Sequence, residues 1–115
     1  MRRGVLVALG WAWAAAIVWL SVTPSPPHID VEQGDKLGHF VSYALLMFWF
    51  AMLYRKRSVR LAHAAGFIAM GIALEFVQRA LGYRSFELYD MGADAIGVFA
   101  GWAAAALLPA RLPPR

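Results

Sequence analysis

A small set of ionisable side chains interrupts an otherwise apolar sequence. Lys36, His39 and Tyr43 are spaced i, i+3 and i+7, so on a helix they lie within about 60° of one face. Asp35 stands beside them at the entrance of that helix. An imidazole in such surroundings can act as a general base or a nucleophile, and it can also bind a polar ligand. The spacing therefore predicts that one face at the start of a helix can bind a polar ligand or catalyse a reaction.

A second polar group consists of Glu75, Gln78 and Arg79, spaced i, i+3 and i+4 over about 100° of one helix face. Glu75 lies a turn inside an apolar segment, where an unpaired carboxylate would be costly or would stay protonated. It therefore requires a partner, and the sequence offers Arg79 one turn away, Arg84 in the next loop, or His39 across the bundle.

A third group begins the last apolar segment. Asp90 and Asp94 recur at helical spacing and are continued on the same face by Gly97 and Gly101. A G-x-x-x-G pair in an apolar helix allows a neighbouring helix to approach closely, so we assign the two glycines to helix packing. The two carboxylates above them are candidates for ligand binding.

Composition identifies the elements that must position these groups. Hydrophobic residues make up 61% of the 115 residues and charged residues only 16%, which is outside the range of ordinary soluble domains. A bilayer core about 30 Å thick is crossed by about 20 apolar residues. We therefore predict an all-α integral membrane four-helix bundle that forms one domain over residues 1–115. The predicted spans are 4–22, 37–54, 61–81 and 91–108.

The first apolar segment has the features of a permanent helix. It exceeds the usual length of a signal-peptide core, contains Trp11, Trp13 and Trp19, and is not followed by a clear small-x-small cleavage site before Thr23. Cleavage as a signal peptide remains the alternative.

Charged residues predict the orientation of the bundle. Eight basic residues fall at one end, namely Arg2, Arg3, Arg55, Lys56, Arg57, Arg60, Arg111 and Arg115. Lys36, Arg79 and Arg84 fall at the other end. By the positive-inside rule, both termini are expected to be cytoplasmic in a multi-pass protein of the inner membrane, with the three polar groups gathered toward its outer side.

Several functional classes are disfavoured by what the chain contains. The sequence has no cysteine, which excludes a disulfide framework and a thiol nucleophile. The net charge of +4 lies between apolar runs, so we expect no nucleic-acid partner. A hard-cation site of His39, Glu75, Asp90 and Asp94 is conceivable but would compete with nearby Lys and Arg, and we predict neither a metal nor a cofactor.

Three sequence blocks, in this order, resemble the VanZ-like family of small bacterial membrane proteins. The blocks are Asp35-Lys36-x-x-His39-Phe40-x-x-Tyr43-x-x-Leu46, Glu75-x-x-Gln78, and Arg84-x-Phe86-x-x-x-Asp90-x-x-x-Asp94-x-x-Gly97-x-x-x-Gly101. The resemblance covers residues 35–101. The family commonly has Asn where this chain has Asp94, which adds a titratable group. The resemblance implies a multi-span protein of the cell envelope, in a family whose founding member is linked to resistance to the antibiotic teicoplanin, but it supplies no mechanism.

The residues leave three functions open. The first is an outward-facing pocket that binds the head group of a membrane lipid or a lipid-linked cell-wall precursor. Its predicted ligand-binding residues are Asp35, Lys36, His39, Tyr43, Glu75, Gln78, Arg79, Arg84, Asp90 and Asp94. The second is a membrane-embedded hydrolase or transferase that uses His39 with Glu75 or Asp94. The third is a non-catalytic assembly protein whose polar cluster only fixes helix register. Whether the protein is an enzyme and whether it forms a homo-oligomer are left open.

Overall fold

In the residues that the structure, a computed structural model, describes, the chain forms four α-helices. The structure describes residues 2–22, 34–81 and 88–108, and for residues 34–36 and 88–90 it describes the backbone alone. The helices are α1 (Arg3–Val22), α2 (Gly34–Leu53), α3 (Arg57–Leu81) and α4 (Leu88–Ala106). The predicted all-α helical bundle is confirmed.

The central helix is α2, which contacts each of the other three helices. Tyr43, Leu46 and Met47 are almost completely buried, and so are all four residues of 50–53. Four consecutive residues point in all directions around a helix, so burial of all four requires neighbours on several sides. The last turn of α2 is thereby held inside the bundle rather than at its edge.

The most extensive helix contact joins α2 to α4. It depends on two glycines of α4. A Cβ atom at Gly97 would lie 2.5 Å from the carbonyl oxygen of Phe40, and one at Gly101 would overlap the carbonyl oxygen of Ala44. Because neither glycine has a side chain, the two backbones approach each other directly, as small residues at a helix contact allow.

The first helix, α1, packs against α2 and α3. Two indole groups set the position of α1 along α2. Trp49 Nε1 donates to the carbonyl oxygen of Leu6 at 2.8 Å, and Trp13 Nε1 donates to that of Ser42 at 3.1 Å. The buried residues of α1 recur at helical spacing along one stripe and are Gly10, Ala14, Ile17 and Ser21.

Arginine side chains close the C-terminal end of α2. Arg3 Nη2 donates to the carbonyl oxygen of Leu53 at 2.6 Å, and Arg60 Nε donates to those of Ala51 and Tyr54 at 2.9 Å each. The last carbonyl groups of a helix lack partners within it and carry partial negative charge, so cations are favoured there. These contacts also bring the start of α1 and the start of α3 to the same end of the bundle as the end of α2.

Two of the helices, α1 and α3, are long and apolar enough to cross a membrane, by length and composition. The apolar parts of the other two, Leu37–Leu53 in α2 and Met91–Ala106 in α4, are shorter.

Candidate functional site

A hydrogen bond between α2 and α4 lies at the centre of the predicted polar group. Nδ1 of His39 is 2.7 Å from Oδ1 of Asp94. The Asp94 side chain is 3% exposed, whereas that of His39 is 24% exposed. A neutral imidazole that donates from Nδ1 has its basic nitrogen at Nε2. The buried carboxylate therefore fixes the orientation of a ring that is still partly accessible.

The carboxylate of Asp94 also lies against α3. A Cβ atom at Gly71 would come within 2.6 Å of Oδ2 of Asp94. The missing side chain at Gly71 thus makes room for this carboxylate, and α2, α3 and α4 meet at Asp94.

Tyr43 and Glu75 lie one helical turn from His39 and Gly71 respectively, and each is only 1% exposed. Each follows, on the same face of its helix, a residue that adjoins Asp94, because His39 bonds to this carboxylate and Gly71 makes room for it. The structure therefore gathers one imidazole, one phenol and two carboxylates where three helices meet. This combination can accept hydrogen bonds from hydroxyl groups, and it can move a proton through the imidazole.

Gln78 has a different contact from the other predicted site residues. It is buried, and its Nε2 atom donates to the carbonyl oxygen of Ser21 on α1 at 2.7 Å. The Ser21 hydroxyl in turn donates to the carbonyl oxygen of Ile17 at 2.7 Å. Gln78 therefore ties α3 to α1, while its neighbour Arg79 lies exposed near the end of α3.

Four predicted ligand-binding residues fall outside the described side chains. The backbones of Asp35 and Lys36 belong to α2 and that of Asp90 belongs to α4, while Arg84 is outside the described residues altogether. Their part in the site stays a prediction.

A metal centre is not assembled from the side chains that the structure describes. Within residues 2–22, 37–81 and 91–108, no three His, Asp or Glu side chains are grouped so as to hold a metal ion. Asp90, one of the four conceivable ligands, is outside those ranges.

Sequence reasoning missed Gly71 and Ser21. Gly71 precedes Glu75 by four residues, and this spacing could have placed both on one helix face. The structure shows such a stripe on the inward face of α3, composed of Ala64, Phe67, Gly71, Glu75 and Gln78. Ser21 offered no comparable signal, because its part in the contact is a main-chain carbonyl group.

The fold and the site define a class: a four-helix bundle with a buried polar group where three helices meet. The chain belongs to the VanZ/LLP1 family, whose model matches residues 6–109. The resemblance drawn from the three sequence blocks is thereby confirmed.

A curated relative comes from the fission yeast Schizosaccharomyces pombe. A stretch of 74 residues is 35% identical to the uncharacterized protein C11E3.10 of that organism, and the match covers 62% of this chain and 46% of the relative. The chain thus spans about half the length of the curated relative that it matches. No solved structure shows significant similarity to this chain.

Proposed function

We propose that this protein spans the cytoplasmic membrane and binds, between α2, α3 and α4, the polar head group of a membrane lipid or of a lipid-linked cell-wall precursor. The observation that carries the binding role is the His39–Asp94 pair, in which a buried carboxylate orients a partly exposed imidazole.

The exposed surface supports membrane insertion. In the apolar windows of α1 and α3, only 22% and 28% of the residues are buried. Large apolar side chains instead face outward, among them Trp19, Ile96 and Phe99, each more than half exposed. Soluble monomers rarely expose extensive apolar surface, whereas lipid tails solvate it. The bundle is also 43 Å long, close to the roughly 40–45 Å of a bilayer with its head groups.

The arginines that close α2 support the proposed orientation. Arg3, Arg55, Arg57 and Arg60 lie at the end of the bundle where α2 finishes and α3 begins. The positive-inside rule assigns this end to the cytoplasm. The His39 end of α2 then faces outward, where the head groups of the outer leaflet lie.

The cost of burying a carboxylate supports a ligand site over accidental placement. Charged groups at membrane depth are expensive and are retained mainly where they bind or transfer something. A partly exposed imidazole held by Asp94 can accept a hydrogen bond from a sugar hydroxyl, or donate one to a phosphate oxygen when protonated. Lys36 and Arg84, as predicted members of the site, would add positive charge for a phosphate. A relative in a yeast favours a membrane lipid over a precursor restricted to bacterial cell walls.

Native mass spectrometry under lipid-retaining conditions tests the binding role. We expect the purified wild type to retain a lipid or precursor that the His39→Gln variant loses. His63→Gln is the matched control, because His63 packs against Phe50 and Tyr54 at the other end of the bundle. The comparison is made between variants of equal melting temperature. If wild type and His39→Gln retain the same species, the polar group has a structural role only.

The same pair favours a second function, a membrane-embedded hydrolase or transferase. Asp94 holds Nδ1 of His39 as the acid of a catalytic triad holds its histidine, and in such a triad Nε2 is the nitrogen that acts as general base. Catalysis predicts that the retained lipid loses or exchanges its head group in wild type, and that His39→Gln abolishes the mass change. Binding alone predicts a retained lipid of unchanged mass.

A further inference from the structure

An open surface cavity of about 500 Å³ lies at the opposite end of the bundle from His39 and Asp94. Arg55, Arg57 and Arg60, from the junction of α2 and α3, line one side of it, and Phe99 and Trp102 of α4 line the other with two alanines. Its volume lies in the range of roughly 300–1,000 Å³ that is typical of small-molecule sites. None of the described residues that line it is acidic.

The charge inside this cavity is not balanced by the part of the chain that the structure describes. The Nη2 atom of Arg55 is buried, and no hydrogen-bond acceptor of that part reaches it. Arg60 is held in place by the carbonyl groups of Ala51 and Tyr54, and it lies close enough to Arg55 for the two cations to repel each other. A buried donor without an acceptor and a nearby like charge are both unfavourable, and an anion in the cavity would relieve both.

We propose that this cavity binds the phosphate group of an anionic membrane lipid at the cytoplasmic end of the bundle. Guanidinium groups bind phosphate oxygens through paired, charge-assisted hydrogen bonds. Phe99 and Trp102 form an apolar wall that continues onto the outward face of α4, where the glycerol and the first acyl carbons of the lipid can lie. A free phosphate would use the arginines but not this wall. The proposal rests on the membrane location proposed above, but not on the His39 site.

The test uses the full chain purified in a nonionic detergent. It is titrated separately with short-chain phosphatidylglycerol, with short-chain phosphatidylcholine and with inorganic phosphate, and binding is followed by native mass spectrometry and by the shift in melting temperature. We expect phosphatidylglycerol to bind more tightly than the other two. Arg55→Gln should weaken that binding by about tenfold, because it removes a charge-assisted contact.

Lys56→Gln is the matched control. Lys56 is exposed, lies between Arg55 and Arg57 in sequence, does not line the cavity, and carries the same charge. We expect this variant to bind within about twofold of wild type, since exposed charges contribute little individually. Arg57→Gln provides a second test at the cavity wall should Arg55→Gln fail to fold.

Three results would overturn the proposal. Equal losses in Arg55→Gln and Lys56→Gln would mean a diffuse surface charge rather than a site. Inorganic phosphate binding as tightly as the anionic lipid, with the same dependence on Arg55, would reassign the cavity to a soluble phosphate. If neither phosphatidylglycerol nor inorganic phosphate binds, the cavity is not an anion site. His39→Gln should leave phosphatidylglycerol binding at this cavity unchanged, so failure at one site does not imply failure at the other.

Discussion

His39 and Asp94 are 55 positions apart in the sequence, and a single hydrogen bond of 2.7 Å joins their side chains across α2 and α4. Gly71 of α3 lies directly behind the carboxylate. The bond thus stands at the meeting point of the three helices that carry the family's sequence blocks, and it both links two helices and orients the imidazole.

Removing the acceptor tests how much this bond contributes to the stability of the fold. In Asp94→Ala, the Nδ1 atom of His39 loses its partner, and we expect the free energy of unfolding to fall by about 1–3 kcal/mol. In Asp94→Asn, the amide oxygen can still accept the bond, and the loss should stay below about 1 kcal/mol. Unfolding in detergent measures both. Equal stability of the two variants would show that the bond contributes nothing to folding.

The glycines of α4 provide a test of the α2–α4 contact. A methyl group at Gly101 would overlap the carbonyl oxygen of Ala44, which belongs to the backbone and cannot rotate away. We expect Gly101→Ala to lower the free energy of unfolding by about 1–3 kcal/mol through overpacking. Gly92→Ala in the same helix is the control, because no atom lies within 4 Å of its added Cβ. It should be neutral or stabilising, by up to about 1 kcal/mol.

Substitution of Gly71, which lies behind the Asp94 carboxylate, tests ligand binding more than the stability of the fold. Gly71→Ala would place a methyl group 2.6 Å from Oδ2 of Asp94, so this side chain must move. We expect weaker retention of the head-group ligand by native mass spectrometry than in wild type. Gly66→Ala, whose added Cβ meets nothing within 4 Å, should retain the ligand fully. Full retention by both variants would show that the position of Asp94 does not matter for binding.

Substitution of Gln78 tests whether its side chain contacts the ligand or only stabilises the fold. Its amide donates to the carbonyl oxygen of Ser21, so Gln78→Leu should loosen α1. We expect a loss of roughly 1 kcal/mol in stability, the usual contribution of one hydrogen bond, with ligand retention unchanged. Lost retention at full stability would instead place Gln78 in the binding site, as its sequence spacing predicts.

The absence of cysteine makes the proposed orientation directly measurable. Single cysteines are introduced at Lys56, near the basic end, and at Leu81, at the end of α3. With a membrane-impermeant maleimide on intact cells, Lys56→Cys should react only after permeabilisation, whereas Leu81→Cys should react without it. The reverse pattern would invert the orientation, and labelling of both without permeabilisation would contradict a membrane-spanning bundle.

Much of the fold could be predicted from the sequence, because apolar length and charge act locally. Four apolar segments separated by prolines, glycines and basic residues predict four helices. The spacing of Glu75, or of Asp94 with Gly97 and Gly101, predicts which side chains share a face of one helix. The sequence by itself also determined the family, since the three blocks retain their order and spacing over residues 35–101 and the family model matches residues 6–109.

Only the tertiary structure decided what each face meets. The sequence left Glu75 and Asp94 as equal candidates to orient His39, and the structure pairs it with Asp94. Gln78 shares an inward stripe with Glu75 but bonds to α1.

The basic residues show the same difference between what the sequence predicts and what helix packing decides. Their number and position predict an orientation, but the bonds of Arg3 and Arg60 to the end of α2, and the cavity at Arg55, emerge only once the helices are packed. Helical periodicity fixes the direction of a side chain around its own axis. The partner it meets depends on the rotation and separation of neighbouring helices, which are set by contacts such as that of Gly101 with Ala44, between residues far apart in the chain.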